Sequence, residues 1–170
     1  MSLKTFVNKS VPTLYMTELS PPVRSVLMTA YILGLPLYKK EINLISGEQR
    51  MQEYLQMNPQ GTVPLLQDKD YCLWDSHAIS GYLVDEYGKS DMLYPKDSRK
   101  RALVDQRLHF DTGILYPEFR NIVLFVPSTG KYLHLENWLR TCKNEIPGYE
   151  EVNQPGLDKL VDYVKILLRK

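Results

Sequence analysis

Residues 62–88 read TVPLLQDKDYCLWDSHAISGYLVDEYG. Two short apolar runs, TVPLLQD and YCLW, flank Lys69 and Asp70, close enough to pair as an antiparallel hairpin although the turn lacks the usual glycine. The hairpin leads straight into a helical pattern. Ser76 is its expected N-cap, Ile79, Leu83 and Tyr87 share one face, and Gly88 follows its end.

Toward the N-terminus, TLYM (13–16) reads as a strand. Val23, Val26, Leu27, Ala30 and Tyr31 then recur at helical spacing until Gly34 supplies a stop. LYKKEINLI (37–45) reads as a second strand, and a capping-box pattern from Ser46 to Gln49 opens a short helix through EQRMQEYLQM. The order strand, helix, strand, helix, strand, strand, helix predicts an α/β unit. A right-handed crossover followed by a hairpin makes a four-stranded mixed sheet, the thioredoxin-like arrangement.

Toward the C-terminus, GKSDMLYPKD (88–97) is a polar linker carrying glycine and proline. After it the strand signals mostly vanish. Residues 98–125 are helical in pattern, with Pro117 expected to break or kink the run, and two more helical patterns, 131–146 and 156–170, flank the separator PGYEEVNQP. The expected division is an α/β domain over residues 1–90 and an all-helical domain over 91–170.

Composition narrows the function. Against 21 basic residues stand 20 acidic ones, a formal net charge of +1, which gives no electrostatic reason to expect nucleic acid or an anionic membrane as partner. The opening MSLKTFVNKSVPTLYM has no apolar core of signal-peptide length, and apolar runs such as IVLFV (122–126) are far too short to span a bilayer. A soluble, cytoplasmic protein is expected. Cys72 and Cys142 are widely separated and lack a metal-binding or redox motif, so both are expected to be reduced, inert thiols, and no metal site is predicted.

The segments LSPPVRSVLMT, MNPQGTVPLLQD, LWDSHAISGYLVDEYG, LYPKDSRKRALVDQRLHFD and WLRTCKNEIPGYEEVN together resemble cytosolic glutathione transferases, especially the insect delta and epsilon classes. They occur in the family's order and spread over nearly the whole chain. The resemblance implies a thioredoxin-like glutathione-binding domain followed by a helical domain, usually in a homodimer. It also implies a detoxification chemistry in which the glutathione thiolate attacks a small hydrophobic electrophile.

The residues suit that chemistry. The thiolate is the nucleophile, and a free thiol has a pKa near 8.5, so a hydroxyl and a helix N-terminus aimed at the sulfur favour the reactive form. By resemblance Ser20, at the head of the first helix, is the catalytic donor to the thiolate; the same serine also reads simply as an N-cap before Pro21. Val63, before an expected cis Pro64, would hydrogen-bond the cysteinyl backbone of glutathione. Ser76 would hold the γ-glutamyl carboxylate at a helix N-terminus, Asp75 would pair with the γ-glutamyl ammonium, and His77 completes that motif. Arg120 matches an arginine near the glutathione site, and Tyr116, Phe119 and Val123 match the electrophile pocket.

Two departures stand out. Gln49 and Gly61 occupy positions where these classes usually place histidines against the glycyl end of glutathione. Gln49 can still donate a hydrogen bond, Gly61 offers only its backbone, and losing one charge-assisted contact costs about 1.5–3 kcal/mol. Furthermore, RNIVLF joins VPSTGKYLHLENW directly, which leaves the helical domain roughly fifty residues short of the family pattern, a large fraction of a domain. The expected function is therefore a glutathione transferase. The alternatives are a catalytically impaired glutathione- or ligand-binding protein, or an interaction partner of full-length relatives. A dithiol oxidoreductase is disfavoured because SPPV carries no cysteine where that chemistry needs two.

Overall fold

Leu14, Tyr15 and Met16 are all buried, which makes the run Thr13–Met16 (β1) an interior strand rather than an edge. The computed structural model describes residues 11–119, 141, 143–159 and 162. β1 pairs in parallel with β2 (Tyr38–Glu41) and antiparallel with β3 (Leu65–Asp68), which pairs antiparallel with β4 (Tyr71–Trp74). The order β2-β1-β3-β4 is the expected four-stranded mixed, thioredoxin-like sheet. The hairpin closes without glycine by placing Lys69 at a φ of 58°. β2 is shorter than the predicted 37–45, because Asn43 turns the chain: its Oδ1 accepts from the N–H groups of Ile45 and Ser46.

Helix α1 (Pro21–Leu33) begins as its sequence suggests, with Ser20 at the N-cap and both prolines in the first turn, where the missing N–H groups cost nothing. It ends at Gly34, whose φ of 63° lets its N–H reach the carbonyls of Ala30 and Tyr31. Val23, Val26, Leu27 and Ala30 pack on Leu14, Met16 and Leu66 of the sheet and on Ile79 and Leu83 of α3 (Ser76–Tyr87). Tyr31 departs from the predicted face and is 48% exposed, whereas Arg24 is buried.

The predicted capping box at Ser46 does not form. Ser46 Oγ instead donates to the Asn43 carbonyl, and Glu48 Oε2 accepts from the Asn43 N–H, so Asn43 organises the loop. A 3-10 turn (Glu48–Arg50) precedes α2 (Gln52–Met57), and neither element has a side-chain cap. Ser76 likewise yields its predicted N-cap role to Asp75, whose Oδ1 accepts from the N–H groups of His77 (2.9 Å) and Ala78 (3.1 Å). A charged carboxylate accepts from these N–H groups more strongly than a neutral hydroxyl would.

Beyond the linker, Asp97 caps α4 (Ser98–Phe110) by accepting from the Lys100 N–H at 3.0 Å. Arg101 straps α4 to α3: it pairs with Asp85, lies 3.8 Å from the Tyr94 ring centroid, and donates to the carbonyls of Tyr94 and Pro95. α4 buries none of its own residues, and Leu103 and Phe110 are exposed.

Pro117 neither breaks nor ends the run. The helix widens over Asp111–Leu115 into a π-turn, closed by the Tyr116 N–H on the Asp111 carbonyl, and helical backbone continues over 116–119. The same device recurs at Tyr149–Asn153, two residues ahead of Pro155, inside the segment read from sequence as a separator. A proline ring collides with the carbonyl four residues back, and a widened turn moves that carbonyl aside. The second turn docks on α1: Arg24 Nε donates to Asn153 Oδ1, Val152 packs on the core, and Lys159 pairs with Glu18. Arg120, Val123, Cys142 and most of the predicted helices at 131–146 and 156–170 lie outside the described residues. Among the described residues, no helix is long and apolar enough to cross a membrane.

Candidate functional site

Two helix N-termini face one cleft of about 400 Å³. The head of α1 contributes Pro21, Pro22 and Ser25, and the head of α3 contributes Asp75, Ser76 and His77. Each N-terminus places the positive end of a helix dipole at the cleft, so the cleft favours anionic groups. Ser76 is 7% exposed, and Asp75 is held at a φ of 75°, a backbone state that costs a non-glycine residue about 1–3 kcal/mol.

The third wall is the segment before β3. Asn58, fully buried, shapes it: Nδ2 donates to the Thr62 carbonyl at 2.8 Å, and Oδ1 accepts from the Gln60 N–H at 3.0 Å. Tyr54 Oη also donates to the Thr62 carbonyl, at 2.7 Å, and burial pushes its pKa up to about 12. The Val63–Pro64 peptide bond is cis, as the sequence suggested, and both residues line the cleft together with Gln60 and Thr62. Val63 precedes the paired residues of β3, whose register with β1 begins at Leu65.

The fourth wall is the π-turn with the residue that follows it: Asp111, Thr112 and Tyr116. His77 joins it to α3. Its Nε2 lies 3.0 Å from Asp111 Oδ2, and its Nδ1 lies 3.0 Å from Thr112 Oγ1. The Tyr116 and Phe119 rings stack with centroids 6.4 Å apart.

The structure thus brings together Val63, Pro64, Asp75, Ser76, His77 and Tyr116. Ser20 stands beside this lining rather than in it. Its Oγ is 3.5 Å from the Val23 N–H, too long for a strong cap. Phe119 reaches the site through its stack on Tyr116. Gln49 does not join: its Nε2 donates to the Leu44 carbonyl at 3.3 Å, and its Oε1 is buried without a partner. Gly61 has a φ of 60°, and a Cβ there would lie 3.0 Å from the Gln49 carbonyl oxygen, so this backbone demands glycine.

Sequence reasoning missed Asp111, Thr112, Gln60 and Thr62. For the last two a signal existed in the MNPQGTVP segment. Asp111 and Thr112 carry no motif, and only the turn ahead of Pro117 aims them at α3.

Comparison with known proteins agrees with this geometry. The family model described as the glutathione S-transferase N-terminal domain matches residues 14–91. Glutathione S-transferase 1 of Manduca sexta is 54% identical over 111 residues, which are 65% of this chain and 51% of that protein. Glutathione S-transferase D7 of Anopheles gambiae is 43% identical over 140 residues, 82% of this chain and 63% of that protein. The solved structure of an epsilon-class glutathione S-transferase from the housefly, Musca domestica, superposes with a TM-score of 0.75 at 34% identity, covering 91% of this chain and 97% of that one. The aligned region spans about half the length of the first curated relative and about three-fifths of the second.

Proposed function

The chain belongs to the glutathione S-transferase family, and from that premise we propose that it binds glutathione in the cleft and conjugates its thiolate to a small hydrophobic electrophile. The observation that carries the reading is the convergence of the α1 and α3 N-termini with Val63 and Pro64 on one cleft. Glutathione is an extended tripeptide with a carboxylate at each end. Ser76, at the positive end of the α3 dipole, suits the γ-glutamyl carboxylate. Asp75 faces the same space and suits the adjacent ammonium. Val63, outside the strand ladder, offers its backbone to the cysteinyl residue. The thiol then comes to the head of α1, where Ser20 donates to the thiolate and the helix dipole favours the anion. Tyr116, backed by Phe119, supplies an aromatic wall for the electrophile.

A second reading is a glutathione- or ligand-binding protein that turns over slowly, or an interaction partner of longer relatives. Two observations favour it: Ser20 lies outside the lining, and Gln49 is committed to the Leu44 carbonyl. Calorimetric titration with glutathione, followed by an aryl-halide conjugation assay, separates the readings. Binding with turnover is expected. Binding without turnover selects the second reading, and absence of binding at millimolar glutathione overturns both in their glutathione-dependent form. Assembly as a homodimer belongs to the same proposal, and sedimentation velocity tests it.

A further inference from the structure

A tight turn delivers Ser20 to the head of α1. The Ser20 N–H donates to the Thr17 carbonyl at 3.1 Å, which closes the chain around Glu18 and Leu19. Leu19 does not take a positive φ, so the turn is not the type II form, which needs one at that position. Type I and type II differ by a flip of the peptide between the two central residues, with the ends left in place. Whatever fixes the Glu18 carbonyl therefore fixes the turn, and with it the approach of Ser20. The cap contact from Ser20 Oγ to the Val23 N–H, at 3.5 Å, is too long to aim the hydroxyl by itself.

Arg24 holds that carbonyl. Its Nη1 donates to the Glu18 carbonyl at 2.9 Å, and its backbone N–H donates to the Ser20 carbonyl at 3.2 Å, so one residue grips the chain on both sides of the serine. Asn153 aims the guanidinium, its Oδ1 accepting from Nε at 2.7 Å. A guanidinium offers its donors in a rigid planar fork, so setting Nε also sets the direction of Nη1. Asn153 lies in the second π-turn, and helical backbone continues over 154–159. From there Gly156 stands against the same Glu18 carbonyl, where a Cβ would collide with it, and Lys159 pairs with the Glu18 carboxylate. Lys159 is exposed, and an ion pair in solvent holds little. Arg24 is buried, and the branch through Arg24 and Asn153 is the one that holds the turn.

We propose that Arg24 and Asn153 are positioning residues for Ser20, a clamp from a distant part of the chain that locks the Thr17–Ser20 turn and so aims the serine hydroxyl at the cleft. The activity part rests on the transferase reading; the exchange part does not. Amide hydrogen exchange, followed by NMR in the ligand-free chain, reads the clamp directly. In Asn153→Ala the Ser20 amide should exchange about ten-fold faster, a larger factor than the amides of β1 and α3 show. Asn153→Asp, which keeps an acceptor for Nε, should restore slow exchange. Arg24→Lys keeps the buried charge without the fork, and as an independent second variant it should speed Ser20 exchange alike. A change at Ser20 equal to or smaller than that in β1 and α3 makes the pair general structural residues and overturns the proposal, whether or not the chain binds glutathione.

In the conjugation assay, Asn153→Ala should raise the pH at which bound glutathione becomes a thiolate. It should lower kcat/KM at neutral pH about three- to ten-fold, with glutathione affinity changed by less than two-fold. In a Ser20→Ala background the same substitution should change neither quantity further. An unchanged pH profile, or an equal loss with and without the Ser20 hydroxyl, overturns the positioning role. If the parent does not turn over, the transferase reading fails while the exchange result still decides the clamp.

Discussion

Arg24 Nε donates to Asn153 Oδ1 across 2.7 Å, joining α1 to a turn 129 residues further along the chain. Arg24 is 4% exposed, its Nη1 donates to the Glu18 carbonyl at 2.9 Å, and burial draws its pKa below the usual value. A buried cation is tolerated where its donors are satisfied, and removing its partners leaves the desolvation cost behind. Arg24→Ala should therefore destabilise the chain by about 3 kcal/mol, through lost packing and two stranded acceptors. Asn153→Ala should cost about 1–3 kcal/mol, and the two changes should be non-additive in a urea-unfolding cycle.

Two glycines predict opposite signs. At Gly156 an added Cβ would collide with the Glu18 carbonyl oxygen and lie 2.7 Å from Arg24 Cδ, so Gly156→Ala should cost about 1–3 kcal/mol. At Gly113, in the first π-turn, an added Cβ meets nothing within 4 Å. Gly113→Ala should stabilise by about 0.4–1 kcal/mol by restricting the unfolded chain. Chemical denaturation of the two variants side by side checks both.

What the sequence disclosed followed from local chemistry. Gly34 and the short apolar runs TLYM and TVPLLQD each favour one backbone outcome, and each appears where expected. What it concealed depended on competition between neighbours. At the start of α3, Asp75 and Ser76 are both good caps, and the choice fell to the charged acceptor. At Asn43, an Asx turn outcompeted the capping box at Ser46. Pro117 signalled a break, but a helix can also widen, and that choice put Asp111 and Thr112 into the site.

Asp75 combines a cap with an unfavourable φ of 75°. Asp75→Ala loses the cap and keeps the strain, so it should cost about 0.5–2 kcal/mol. Asp75→Gly loses the cap and relieves the strain, and should cost only a few tenths of a kcal/mol. Both should weaken glutathione binding alike if the carboxylate meets the ammonium. Parallel thermal melts and calorimetry separate the stability effect from the binding effect.

Asp68 is 5% exposed, and its Oδ2 accepts from Tyr82 Oη at 2.8 Å and from Tyr87 Oη. Burial, with the carboxylate second, pushes the Tyr82 pKa up to about 12 and Tyr87 higher still. Unfolded tyrosine ionises near 10. Above that value the unfolded chain loses protons that the folded chain keeps, so stability falls as pH rises. The Tyr82 contribution is whole below about pH 10 and is lost as pH rises through about 12, and that of Tyr87 persists to higher pH. Urea midpoints across this range should show the decline, and Tyr82→Phe should flatten it. Absorbance of tyrosinate should rise late in the folded parent and earlier in Asp68→Asn.

Ser20 separates cap from catalyst. Its Oγ accepts from the Val23 N–H at 3.5 Å, beyond the range of a good hydrogen bond, so the hydroxyl contributes little to holding α1. Ser20→Ala should thus cost no more than about 0.5 kcal/mol, the low end for an N-cap. A hydroxyl that donates to a thiolate is worth far more in the reaction, because hydrogen bonds to charged groups are worth about 1.5–3 kcal/mol. Conjugation at neutral pH should fall about ten- to a hundred-fold in kcat/KM, with glutathione affinity little changed. The thiolate absorbance of bound glutathione should appear at higher pH in the variant than in the parent. A variant that loses stability and keeps its activity would return Ser20 to the role of an ordinary helix cap.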